Sequence, residues 1–252
     1  MKNSFQIEIY KLVRHPLTFG VLSLSLGLLS LLFYRLCVDY LHLAHGALHA
    51  REISASISVE IIKPLCSWAI LLMALTFPLF TTQSLSQEVK QRTFALWAMS
   101  SRTAFNIIFG KWLSILCFVG FIELILLLMI GSLFLNATLN WQMITLSLLT
   151  VALIGCCIIS FGLFISSLIS HPIFALLVTY IGLLLWMLIE WLNPFSKAYA
   201  YLAKELSLIN HSYAAFHGII NMADFVFFIL VSIFWLTLTS RHLAIKMTHV
   251  KL

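Results

Sequence analysis

Six long apolar runs, over residues 17–36, 65–83, 107–133, 143–169, 173–192 and 225–240, fix what this chain can become. Crossing the hydrocarbon core of a bilayer takes about 20 apolar residues in a helix, and the runs approach or exceed that length. Lipid offers no water to backbone N–H and C=O groups, so a spanning segment must be a helix or part of a closed barrel. Strand-like alternation is absent from the runs, which leaves helices. With 62% hydrophobic and 10% charged residues and a mean hydropathy of +1.03, the chain has too little charge to solvate a free surface, which excludes a soluble globular domain. The expectation is an all-α polytopic membrane protein with six transmembrane helices, forming one domain over residues 1–252.

The prolines agree with these boundaries. Pro16, Pro64 and Pro172 open runs and Pro194 closes one, as suits a residue that cannot donate inside a helix. Pro78 alone lies within a run, where it predicts a kink. Ahead of the first run, NSFQIEIYKLVRH predicts a short amphipathic helix within residues 1–16. A helical wheel puts Phe5, Ile9, Leu12 and Val13 on one face and Glu8, Lys11, Arg14 and His15 on the other, the pattern of a helix lying in the headgroups. The first run lacks a small-residue cleavage site close behind it and reads as a retained span.

Lys and Arg set the orientation. Lys2, Lys11, Arg14, Lys90, Arg92, Arg102, Lys111, Arg241, Lys246 and Lys251 fall on one side. Arg35, Arg51, Lys63, Lys197 and Lys204 fall on the other, offset there by Asp39, Glu52, Glu60, Glu205 and Asp224. This asymmetry predicts cytoplasmic termini; the expected location is a bacterial inner membrane. The formal charge of +6 is thus a topology signal, and no clustered basic surface points to a nucleic-acid partner.

Several residues invite chemistry. Glu123 is the one ionisable residue deep in a run, about 18 Å along a helix from Lys111, and an intramembrane carboxylate marks a candidate substrate path. Glu190 sits nearer a helix end, within reach of the interface. His42, His45 and His49 would share a helical face and offer imidazoles to a metal, but such a stretch in an outer loop is more often interfacial or hydrogen-bonded, and no metal ligands are assigned. Cys37 and Cys66 fall near the same ends of their helices, so a bridge between them stays open; the other cysteines read as small apolar residues. Small residues one turn apart (Ser23 with Gly27, Cys156 with Ser160, Gly162 with Ser166) suggest close helix packing. Two links, over residues 38–63 and 193–224, are longer than turns need. The second contains FSKAYAYLAKELSLI, an amphipathic or re-entrant segment before the last run.

Between the second and third runs, residues 86–112 read SQEVKQRTFALWAMSSRTAFNIIFGKW, a basic island with a short amphipathic helix of its own. The island resembles the corresponding stretch of type-2 ABC exporter permeases. In that family a Glu ends the second helix, a Gly-Thr-led helix follows, and a turn and a Gly-Lys pair open the third helix. Here Glu88, Thr93, Phe94-Ala95-Leu96, Ser100-Ser101 and Gly110-Lys111 occupy those places, with Arg92 in place of the Gly. The closing segment FHGIINMADFVFFILVSIFWLTLTSRHL is similar to the end of the gliding-motility-like branch of the family. The resemblance implies a permease subunit without enzymatic activity of its own, its cytoplasmic coupling loop at residues 84–105. Docking of an ABC ATPase subunit would then fall to Glu88, Arg92, Thr93, Phe94, Leu96 and Trp97. It implies a dimer with a second copy or a paralogue, and ATP and Mg bound on the partner chain. Consistently, no phosphate-binding G-x-x-x-x-G-K-[ST] occurs in this chain. Two other readings stand beside it: an ion- or proton-coupled secondary carrier with Glu123 as relay, and a haem-exporter-like assembly component.

The topology has a direct test. Alkaline-phosphatase fusions after Asn136 and Lys204 should be active and those after Arg92 and Lys246 inactive; the reverse pattern would overturn the orientation.

Overall fold

The structure, a computed structural model, describes residues 2–14, 16–46, 58–90, 103–133, 140–189 and 205–251, and the elements among them are helical. They are α1 (Lys2–Arg14), α2 (Pro16–Gly46), a π-helical turn (Ser58–Ile62) that runs into α3 (Lys63–Lys90), α4 (Ala104–Leu133), α5 (Trp141–Leu168), α6 (Pro172–Leu188), α7 (Leu208–Phe216) and α8 (Met222–Lys251). Five of these, α2, α3, α4, α5 and α8, are long and apolar enough to cross a membrane. The fifth apolar run of the sequence forms α6, which has 17 residues. The chain is therefore an all-α, multi-pass membrane protein.

Helix α5 is the centre, packing against α3, α4, α6, α7 and α8. Its glycines explain the closeness. A Cβ at Gly162 would lie 2.5 Å from the Thr81 hydroxyl of α3, and one at Gly155 would lie 3.1 Å from a Val119 methyl of α4. Small residues bring backbones near enough for dispersion contacts, the main attraction between helices in lipid. Two serines add polar stitching: the Ser86 amide donates to Ser166 Oγ at 3.0 Å, and Ser166 Oγ donates to the Thr81 carbonyl at 3.1 Å. By contrast, Ser23 and Gly27 on α2 are exposed, with open space around Gly27. The expected small-residue packing therefore holds for α5 and fails for α2, which lies at the edge of the bundle.

Pro16, Pro64 and Pro172 stand in the first turns of their helices, and Pro78 lies inside α3. Proline's missing N–H removes a donor from the α3 ladder. Neighbouring groups serve the carbonyls around it: Tyr180 of α6 donates to the Leu75 carbonyl at 2.5 Å, and the Thr82 hydroxyl donates to the Pro78 carbonyl at 2.8 Å.

Some boundaries differ from the expectation. The first membrane helix continues to Gly46, so residues 38–46 of the long link after the first run are helical. The helix before α8 is LINHSYAAF, started by Ser207, whose side chain accepts the Asn210 N–H. It ends at Phe216, and two residues on Gly218 takes a left-handed φ of +75°, a conformation that favours glycine. The amphipathic segment expected over residues 195–209 falls mainly outside the described residues, as do Glu190 and Pro194. Cys37 and Cys66 are free thiols.

Helix α1 and the end of α8 belong to one end of the bundle, called proximal below. There α1 packs on α4, and Leu243 and Met247 of α8 join Ala104, Ile107 and Ile108 of α4 in a small apolar cluster. The distal end holds α7, the starts of α3, α5 and α8, and the end of α6.

Candidate functional site

At the proximal end Lys111 is 1% exposed, an unusual place for an ammonium. Isolated burial of such a charge costs several kcal/mol, so its partners decide whether the site is stable. Lys111 Nζ donates to Glu8 Oε1 at 3.0 Å and to the Ser84 carbonyl at 2.6 Å. Glu8 is itself 3% exposed. One cation thus joins α1, α3 and α4. The sequence reading assigned Glu8 to the polar face of α1, away from Leu12. In the structure Glu8 and Leu12 form the inward face together, and Val13 is exposed. The correction has a plain cause: a carboxylate on an amphipathic helix turns inward when a buried cation awaits it.

Neighbouring carbonyls at this end are also accounted for. Those of α5's last turn lack partners within the helix. Lys246 Nζ of α8 donates to the Ser167 carbonyl at 2.6 Å, and the Ser86 hydroxyl lies 2.9 Å from the Ile169 carbonyl. Cations and hydroxyls here complement the negative end of α5. Trp112 is half-buried, and its indole N–H donates to Ser160 Oγ at 3.1 Å.

Residues Arg92, Thr93, Phe94, Leu96 and Trp97, expected to dock an ATPase, lie outside the described residues. Glu88 belongs to the last turns of α3. The described helices place the flanks of that segment: α3 leads into it and α4 leaves it at Thr103, whose hydroxyl accepts the Asn106 N–H at 3.4 Å. Both flanking helices converge on Lys111.

Glu123 is half-buried on α4, next to the inward stripe of Val119, Ile122 and Leu126. Its Oε1 is buried and has no hydrogen-bond partner among the described residues. An unsatisfied buried carboxyl oxygen costs free energy, which sets Glu123 apart from the apolar side chains around it. The hydroxyls of Ser147 and Thr150 on α5 are likewise buried without partners. Among the described residues no group of three His, Cys, Asp or Glu side chains is placed to hold a metal. His42 is exposed, and His49 is outside the described residues.

At the distal end the structure adds a pair that sequence reasoning missed. His211 Nδ1 and Asp224 Oδ1 lie 2.6 Å apart, both residues buried, with His211 stacked on Phe227. Across the ring, Nε2 is 2.9 Å from the Glu205 carbonyl. The pair clasps α7 to the first turn of α8. Thirteen residues separate the partners, too many for a helical spacing to show. The local cue was an Asp in a helix's first turn, favoured by the macrodipole.

The proximal ion pair can be dissected by a double-mutant cycle. Glu8→Leu or Lys111→Met alone should destabilise by about 3–5 kcal/mol, because each strands a buried charge. The double variant should recover most of that loss, read as the thermal unfolding midpoint in detergent. Additive losses would show that the two side chains do not interact.

Neither a protein-family model nor a curated protein matches this sequence.

Proposed function

We propose that the chain is the transmembrane subunit of an ATP-driven ABC type-2 exporter. It would work as a dimer with a second copy or a paralogue and with separate ATPase subunits that bind ATP and Mg. Six spans, counting α6, would put both termini and residues 84–105 in the cytoplasm of a bacterium, as the charge asymmetry requires. The observation that carries this reading is the Lys111 knot. The segment resembling the family's coupling loop is flanked by α3 and α4, and Lys111 ties those two helices to α1. A push on the segment would move all three helices together, which is what force transfer from an ATPase demands.

The second reading, a proton-coupled carrier, draws on Glu123, whose unpartnered oxygen suits a group that takes up and releases a proton. Carriers usually carry internal repeats and several buried charges, and here one carboxylate would have to suffice.

Two experiments separate these. Phe94→Ala with Trp97→Ala should abolish co-purification of an ATPase subunit from native membranes while the permease level stays normal, since aromatic anchors at an interface are often worth about 2 kcal/mol or more. Undiminished co-purification with unchanged ATP turnover would overturn the docking role.

Glu123→Gln keeps shape and hydrogen bonding but removes titration. An exporter should tolerate it and lose expression or activity with Glu123→Leu. Loss of transport in Glu123→Gln, at normal membrane levels and with ATPase activity intact, would favour the carrier.

A further inference from the structure

At the distal end Lys63 opens α3 beneath the α7–α8 turn. Its Nζ lies 3.3 Å from His217 Nε2 and 4.9 Å from the centroid of the Tyr213 ring. His217 Nδ1 is 2.7 Å from the Tyr213 carbonyl, which can only accept, so Nδ1 carries the hydrogen. That leaves the Nε2 lone pair to accept from the ammonium. Lys63 is therefore aimed by a neutral acceptor and an aromatic face, neither of which cancels its charge, and among the described residues no acceptor other than His217 meets its three N–H bonds. Among the described residues no carboxylate forms an ion pair with it.

Below this cation a groove of about 440 Å³ runs along α3, lined by Lys63, Pro64, Ser67, Trp68 and Leu71. These positions follow the i, i+3, i+4, i+7 spacing of one helical face. Trp68 and Leu71 are about half exposed. The Ser67 hydroxyl is turned away from any ligand, donating to the Lys63 carbonyl at 2.9 Å. From Lys63 to Leu71 the face extends about 12 Å along the helix axis, cationic at its top and apolar below.

The face lies in the candidate span Glu60–Ser86. At the end of a span, an ammonium with no described carboxylate within ion-pair distance meets the phosphate layer, and the side chains below it meet acyl chains. We propose that this groove binds one anionic phospholipid of the distal leaflet, its phosphodiester on Lys63 and an acyl chain along Trp68 and Leu71. Charge complementarity selects the headgroup, and the apolar length beneath it selects a lipid over a free anion. Tyr213 and His217 act by positioning Lys63, so the site also couples α3 to α7. The inference stands apart from what drives transport: it holds for an exporter or a carrier.

The test uses the full chain in detergent, titrated with phosphatidylglycerol, phosphatidylcholine or inorganic phosphate and read by native mass spectrometry and thermal unfolding. Phosphatidylglycerol should bind and raise the unfolding midpoint more than phosphatidylcholine does, and inorganic phosphate should leave it unchanged. Lys63→Gln should weaken phosphatidylglycerol binding about tenfold or more, and Lys63→Arg should retain it. Trp68→Gln with Leu71→Gln, which spares the charge, should weaken it as well. Equal lipid binding by wild type and Lys63→Gln would overturn the proposal. So would a shift with inorganic phosphate equal to that with lipid, which would mark a free-anion site. Ordinary lipid affinity in the Trp68/Leu71 double variant would overturn the acyl-chain assignment.

Discussion

A buried ammonium governs the proximal half of this protein. Lys111 enters the bundle on α4 with 1% of its surface exposed and is tolerable there only because a carboxylate and a main-chain carbonyl meet it. Meeting that requirement dictates other features. The N-terminal helix must turn Glu8 inward, so its orientation about its own axis is set by electrostatics as well as by Leu12. The end of α3 must hold the Ser84 carbonyl within 2.6 Å of the Nζ atom, which fixes how α3 and α4 approach before the segment between them. Apolar packing in lipid is weakly directional; this charge supplies direction.

Polar groups elsewhere follow the same logic of local satisfaction. The central helix α5 ends on carbonyls served by Lys246 and Ser86 from two different helices. The distal clasp of His211 and Asp224 joins the short α7 to α8. Between these polar ends the bundle is held by shape, with Gly155 and Gly162 admitting Val119 and Thr81. Glu123, like the hydroxyls of Ser147 and Thr150, departs from it: among the described residues its buried carboxyl oxygen has no partner. That contrast, in a chain otherwise careful with its buried charges, is what makes it a site candidate.

Much of the fold was legible in the sequence, because hydropathy and proline placement act locally. Pro16, Pro64 and Pro172 marked helix starts without any knowledge of neighbours, and apolar length alone found the five helices long enough to cross a membrane. What stayed hidden depends on partners far apart in the chain. Glu8 and Lys111 are 103 residues apart, so a helical wheel for α1 could only set Glu8 among the solvated charges. The same applies to His211, whose role needs Asp224 on another helix. The small-residue stripes illustrate the limit well: Gly162 with Ser166 and Ser23 with Gly27 look alike in sequence, yet only the first faces a neighbouring helix. The proposed docking residues were legible only through resemblance, since nothing in their spacing names a partner.

The proline in α3 has a mechanical consequence. Its distal half is fastened near Lys63 and its proximal half near Ser84 and Ser86, leaving the gap in the ladder at Pro78 as the softest joint between two anchored segments. The Leu75 carbonyl there is served from outside by the Tyr180 hydroxyl. The carbonyl that Pro78 leaves without a helical donor is that of Ala74, one residue earlier, so the Tyr180 hydroxyl grips α3 right beside its interruption. The shortest of the apolar helices thereby supplies an outside contact where the ladder of α3 has lost an inside one.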